Sequence, residues 1–253
     1  MKTKLIQGDY KEFNGRYNEQ MPLLVNEGLQ PLTAKDVIQY RLQAIQSKDK
    51  IDFWSSRYFD TVTGLAYHNG ELVVIPNSQD LLNITQDFKL NSGSLILSSE
   101  QYKGLVKQHR IIKRKNIISG RDLTKKEAKN HPIWIKLAQG DKALLNEYTD
   151  AIFAETKTRY NYDENMGIYL PDDQEQPALR DWFLRYLGNR SRANAGGGLG
   201  GDSRLLGVCV RNLEQVLGKV AFNGKLVNPS ELEKAIQFYK SGKSGKLDLS
   251  LLR

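Results

Sequence analysis

Apolar positions first recur with a helical period after Thr33. Val37, Ile38, Leu42 and Ile45 share one stripe, Arg41 and Lys48 fall off it, and Thr33 with Asp36 forms a capping pair at its start. The thirty residues before it carry Gly8, Gly15, Pro22 and Gly28 among isolated aromatics and read as loop and short strand. Asn69-Gly70 stands between the β-favouring runs of 64–68 and 71–76, because a two-residue turn of this kind needs positive φ at both central positions. A strand is expected at Ser94–Leu97, then a short helix from Ser98 or Ser99. The isoleucine pairs of His109–Ile118 suit another strand.

From Thr124 the pattern is helical again. Glu127 stands at the capping-box position, His131-Pro132 breaks and restarts the helix before Trp134 and Leu137, and Gly140-Asp141 ends that piece and caps the next. Leu144, Leu145, Tyr148, Ile152 and Phe153 then form a core stripe reaching toward Tyr160. A short strand at Met166–Leu170, a helix from about Pro177 to Leu187, a loop over 189–203, a buried strand at Arg204–Val210 and a helix capped by Ser230 with Glu233 complete the reading. Regular β-α-β alternation is absent. The fold class this implies is α+β, with small antiparallel sheets and β-hairpins packed against several helices. Residues 1–240 read as one domain and 241–253 as a flexible basic tail.

Charge changes the picture more than composition does. The net charge of +8 is unevenly spread: residues 101–130 hold 10 basic and 2 acidic side chains, and 181–253 hold 12 and 6. Lys103, Lys107, Arg110, Lys113, Arg114, Lys115, Arg121, Lys125 and Lys126 make the first stretch, and Arg185, Arg190, Arg192, Arg204 and Arg211 the second. Lysine and arginine in such numbers suit phosphate oxygens, and Tyr102, Trp182 and Tyr186 offer stacking faces for unpaired bases. The leading expectation is therefore a non-enzymatic nucleic-acid- or ribonucleoprotein-associated protein, its partner nucleic acid or another polyanion. Two others stand beside it. One is an enzyme acting on a phosphorylated or anionic small molecule, with 189–203 as a mobile glycine-rich lid and Arg190 and Arg192 as clamps. The other is a scaffold or assembly subunit.

Other chemistries find little support. Gly196–Gly201 satisfies G-x-G-x-x-G, but no strand precedes it and no helix follows, as a dinucleotide site requires. Gly242-Lys243-Ser244 lacks the earlier glycine of a P-loop. His68, His109 and His131 share no ligand-like spacing, the acidic 163–173 region matches no calcium loop, and one cysteine, Cys209, builds neither a disulfide nor a thiolate site. No metal or cofactor is expected, and the sequence names no catalytic residue while leaving general acid–base chemistry and enzyme status open. With no apolar run of membrane-spanning length and no signal-peptide pattern, the expectation is a cytoplasmic protein without a membrane partner.

Overall fold

A computed structural model of the protein describes residues 10–48 and 51–209, with two short strands at 221–222 and 225–226. The chain divides into two compact units, Tyr10–Val208 and a second drawn from 1–9 and Cys209–Arg253. In the second, β12 (Ala221–Phe222) pairs antiparallel with β13 (Lys225–Leu226). Arg211, the Cys209 side chain, the Ser230 helix, the 242–244 motif and the tail from 241 lie outside the described residues.

The larger unit is α+β, as its pattern predicts. It opens with β1 (Tyr10–Arg16), α1 (Tyr17–Asn26), β2 (Leu29–Pro31), α2 (Ala34–Ser47), α3 (Ile51–Ser56), β3 (Phe59–His68) and β4 (Glu71–Ile75). It continues with α4 (Gln79–Leu82), β5 (Leu90–Asn91), β6 (Ser94–Ile96), α5 (Ser99–Gln108), β7 (Ile112–Lys113), α6 (Lys125–Asn130), α7 (Pro132–Leu137) and α8 (Lys142–Tyr160). Four strands close it: β8 (Ile168–Tyr169), β9 (Ala178–Leu184), β10 (Ala193–Asn194) and β11 (Asp202–Cys209). Eight strands form the main sheet in the order β5-β6-β9-β3-β4-β7, with β10 added beside β9 and β8 beside β10, while β1-β11-β2 form a smaller sheet.

Alternation along the central strands divides the core in two. Leu65, Tyr67, Leu72, Val74, Ala178, Trp182 and Leu184 meet α2, α6, α7 and α8 on one face. Ala66, Val73, Ile75 and Leu179 meet α1, α4, α5 and the smaller sheet on the other. Among the described residues no helix is long and apolar enough to cross a membrane.

The capping boxes at Thr33, Ser98 and Thr124 and the Asn69-Gly70 turn form as the sequence implies. Four expectations need correction. Residues 17–26 are helical, carried by Tyr17, Met21 and Leu24, all buried. The 177–187 segment is not a helix: it is strand β9, and all seven of its residues are buried, so it lacks the alternation of a half-exposed strand. The 109–118 run is strand only at Ile112–Lys113, then a single 3-10 turn. Arg41, off the apolar stripe, is 1% exposed. Its guanidinium donates to the carbonyls of Trp54, Arg57, Leu184 and Arg185 at 2.7–3.1 Å.

Candidate functional site

The chain from Phe183 to Arg204 crosses the end of β9, a tight turn, β10 and the glycine segment before β11, and it supplies the arginines of four arginine–ring contacts, made by buried and half-buried side chains. Three observations mark it out: left-handed backbone, ring-capped arginines and a buried carboxyl pair.

The turn comes first. Arg190 and Ser191 have φ of 55° and 48°, and the segments packed against them add Asn161 at 56° and Met166 at 54°. Left-handed non-glycine backbone is costly and persists where surroundings enforce it, which is most often at functional sites. Here the Met166 N–H donates to the Arg190 carbonyl at 2.7 Å, and the Ser191 N–H to that of Tyr186 at 3.0 Å. Asp122, buried, receives a two-pronged bond from Arg192 at 2.7 Å on each oxygen, with Arg190 at 3.3 Å. Arg190 lies over the Tyr162 ring at 4.3 Å and Arg192 over Tyr169 at 5.1 Å. Tyr162 in turn stacks on Tyr160, centroids 5.4 Å apart, and Tyr160 is 40% exposed at the end of α8. Gly188 sits against the Tyr186 and Tyr160 rings, leaving little room for a side chain.

A second array continues along β9 and β11. Arg185 caps the Phe183 ring at 5.2 Å, Phe183 meets Tyr58 edge-on at 6.4 Å, and Arg204 caps Tyr58 at 5.5 Å. Arg204 also donates to Asn14 Oδ1 at 3.1 Å and lies 3.9 Å from Glu12, which is paired with Arg57, itself 4.5 Å from the Phe53 ring.

Beneath this array lie Asp60 and Asp181, 7% and 3% exposed. They meet where β3 slips its register against β9: Asp60 faces Phe183, yet Gly64 already faces Asp181. The bulge is stitched by hydroxyls, Thr61 Oγ1 donating to the Trp182 carbonyl at 2.6 Å and Thr63 Oγ1 to that of Pro76 at 2.9 Å. The two carboxyl groups are near enough that each acts on the protonation of the other. Asp60 Oδ2 also accepts the Arg204 N–H at 2.5 Å. Burial is the largest cause in both, lifting Asp60 to about 6 and Asp181 well above the ordinary aspartate range, with the Asp60 charge raising Asp181 further.

The glycine segment is not an open loop. Arg180, buried in β9, donates to the carbonyls of Gly196 and Gly197 at 2.7 and 3.2 Å and also to Ser92 and Ser94. The Leu199 N–H donates to the Gly93 carbonyl at 2.8 Å, and Gly93 and Gly198 approach so closely that a Cβ on Gly93 would lie 2.6 Å from the Gly198 Cα. The expected structureless stretch therefore contains β10, a pinned turn and the start of β11. Arg190 and Arg192 hold Asp122 and are not disposed as clamps on a substrate.

The remaining basic residues are placed as follows. Lys113 pairs with Glu71, Arg114 with Asp173 at 3.6 Å, Arg121 with Glu127 at 2.6 Å and Lys125 with Asp150 at 2.5 Å. Lys103 and Lys107 are exposed on α5, and Arg110, Lys115 and Lys126 are also exposed; none makes an ion pair among the described residues. Tyr58, Phe183, Tyr160 and Tyr162 escape sequence reasoning, since their meeting depends on contacts between segments far apart in the chain. Their one sequence signal is the run of arginines, tyrosine, asparagines and glycines across 185–201.

No family model matches the chain. No curated protein matches it either. Among solved structures, a Nanoarchaeota chain in which the C-type lectin fold accommodates massive sequence variation is similar, with a TM-score of 0.64 at 18% identity, covering 80% of this chain and 99% of that one. That likeness overturns the expectation of a nucleic-acid- or ribonucleoprotein-associated protein: the fold it shows is that of a C-type lectin. The mobile lid held beside it loses its premise too, because the glycine segment within 189–203 is pinned. The larger unit of this chain has the C-type lectin fold.

Proposed function

We propose that the protein is a recognition module, in which a C-type lectin fold presents the 183–204 segment, with Tyr58, Tyr160 and Tyr162, to a protein partner. The observation that carries this is the Tyr160–Tyr162 stack, Tyr160 exposed and Tyr162 half-buried beneath Arg190, beside a left-handed turn. Tyrosine and arginine dominate the energetics of protein interfaces, because each offers a large, stiff, amphipathic surface at low entropic cost. Asparagine, serine and glycine, abundant from 188 to 203, supply adaptable hydrogen bonding of the kind binding loops use.

A protein partner is favoured over a sugar by what covers the rings. Guanidinium groups cap Tyr58, Phe183, Tyr162 and Tyr169, so fewer open aromatic faces are left for a pyranose to stack on. The similar Nanoarchaeota structure, where the fold accommodates massive sequence variation, fits a frame that tolerates a changeable surface. A single cysteine supports a reducing compartment, the cytoplasm, as the place of action.

Probing the full chain on parallel protein and glycan arrays tests the reading. Binding to particular proteins that is lost in Tyr162→Ser, at an unchanged melting temperature, is the expected result. Binding confined to glycans, or protein binding indifferent to Tyr162→Ser, overturns it.

A further inference from the structure

Building on that reading of the face, we infer that Asp60 and Asp181 form a proton-dependent latch that sets the positions of Arg204 and Tyr58 within it. The geometry is specific. Two carboxyl groups on adjacent strands are buried against each other at a register slip, Asp181 Oδ2 has no partner, and Asp60 holds the backbone N–H of the residue whose side chain caps Tyr58.

The charged and titratable neighbours come from four directions. Tyr17 faces the pair from α1, its hydroxyl donating to the Thr61 carbonyl at 3.1 Å. Tyr58 faces Asp60 from the segment before β3, within reach of Asp202, Arg185 and Arg204. Arg180 acts on Asp181 from β9, and Ser203 lies beside Asp60 on β11.

With one proton between them, Asp181 stays neutral and the Asp60 carboxylate accepts the Arg204 N–H as a charge-assisted bond. A second proton neutralises Asp60 and reduces that bond to an ordinary one, about half as strong. Loss of the first proton puts two like charges in a water-poor seam and drives β3 from β9 at the slip. The latch is closed only in the singly protonated state, so the face is set by pH without any change in its own exposed groups.

Proton–nitrogen NMR of the full chain, followed from about pH 5 to about pH 8, reads the latch at the Arg204 amide. The expected result is a single sigmoidal shift of that amide in the native chain, shared by the Tyr58 ring signals and abolished in Asp60→Asn. An Arg204 amide that stays flat in the native chain, or titrates alike in Asp60→Asn, overturns the latch. The native titration decides the matter even if the variant fails to fold. A flat amide combined with protein binding that Tyr162→Ser removes would eliminate the latch while leaving the recognition reading in place.

Discussion

Asp181 is the residue at which burial and charge are most openly opposed. A carboxylic acid whose folded pKa is raised contributes stability that is present in acid and lost as pH rises through the folded value. For this pair, stability is therefore greatest below the ordinary aspartate range and declines as pH climbs toward neutral and beyond. Asp181→Asn removes the second charge. It should raise the melting temperature at neutral pH, by a stabilisation of about 1–2 kcal/mol, and the gap to the native chain should close as pH falls toward about 4. A melting temperature lowered by the substitution at neutral pH would count against the coupling of the two carboxyls. Arg41 shows the opposite economy. Replacing it by Met leaves the carbonyls of Trp54, Arg57, Leu184 and Arg185 without donors, and denaturant unfolding should show a loss of about 3–5 kcal/mol. Neither residue declares its role locally. Arg41 reads as solvent-facing because its acceptors include Leu184 and Arg185, more than 140 positions away, and Asp181 reads as one acidic residue in an apolar run.

Elements marked by a local period or a turn were legible in the sequence, and a strand buried on both faces without such a mark was not. The helix from Thr33 announces itself through its stripe and its cap, and the β3–β4 hairpin through Asn69-Gly70, because period and turn chemistry are local properties. Strand β9 sits between β6 and β3 with a core on each side, so its apolar run over 178–184 resembles a helix segment as much as a strand. The glycine segment misled for a related reason. Its composition favours freedom, while its order comes from one buried side chain, Arg180, placed by that same unrecognised strand. Arg180→Gln should therefore loosen 196–199, with amide exchange at Leu199 rising at least tenfold (about 1.4 kcal/mol of lost protection) while the core of α8 keeps its protection. Unchanged exchange at Leu199 would show that the Gly93–Gly198 contact alone holds the segment.

For the whole molecule, the argument from charge counted basic residues and could not place the carboxylates that stand opposite part of them. Glu71, Asp122, Glu127, Asp150 and Asp173 take up Lys113, Arg192, Arg121, Lys125 and Arg114. What stands out after folding is a frame of two packed cores carrying a surface rich in tyrosine and ring-capped arginine. Hydrogen exchange of the full chain with and without a protein partner taken from the array tests that account most directly. It predicts slowed exchange across 183–204 and around Tyr160–Tyr162, with the α5 helix and its lysines unchanged. Protection confined to α5 and the 110–126 stretch, with 183–204 exchanging as in the free chain, would contradict it.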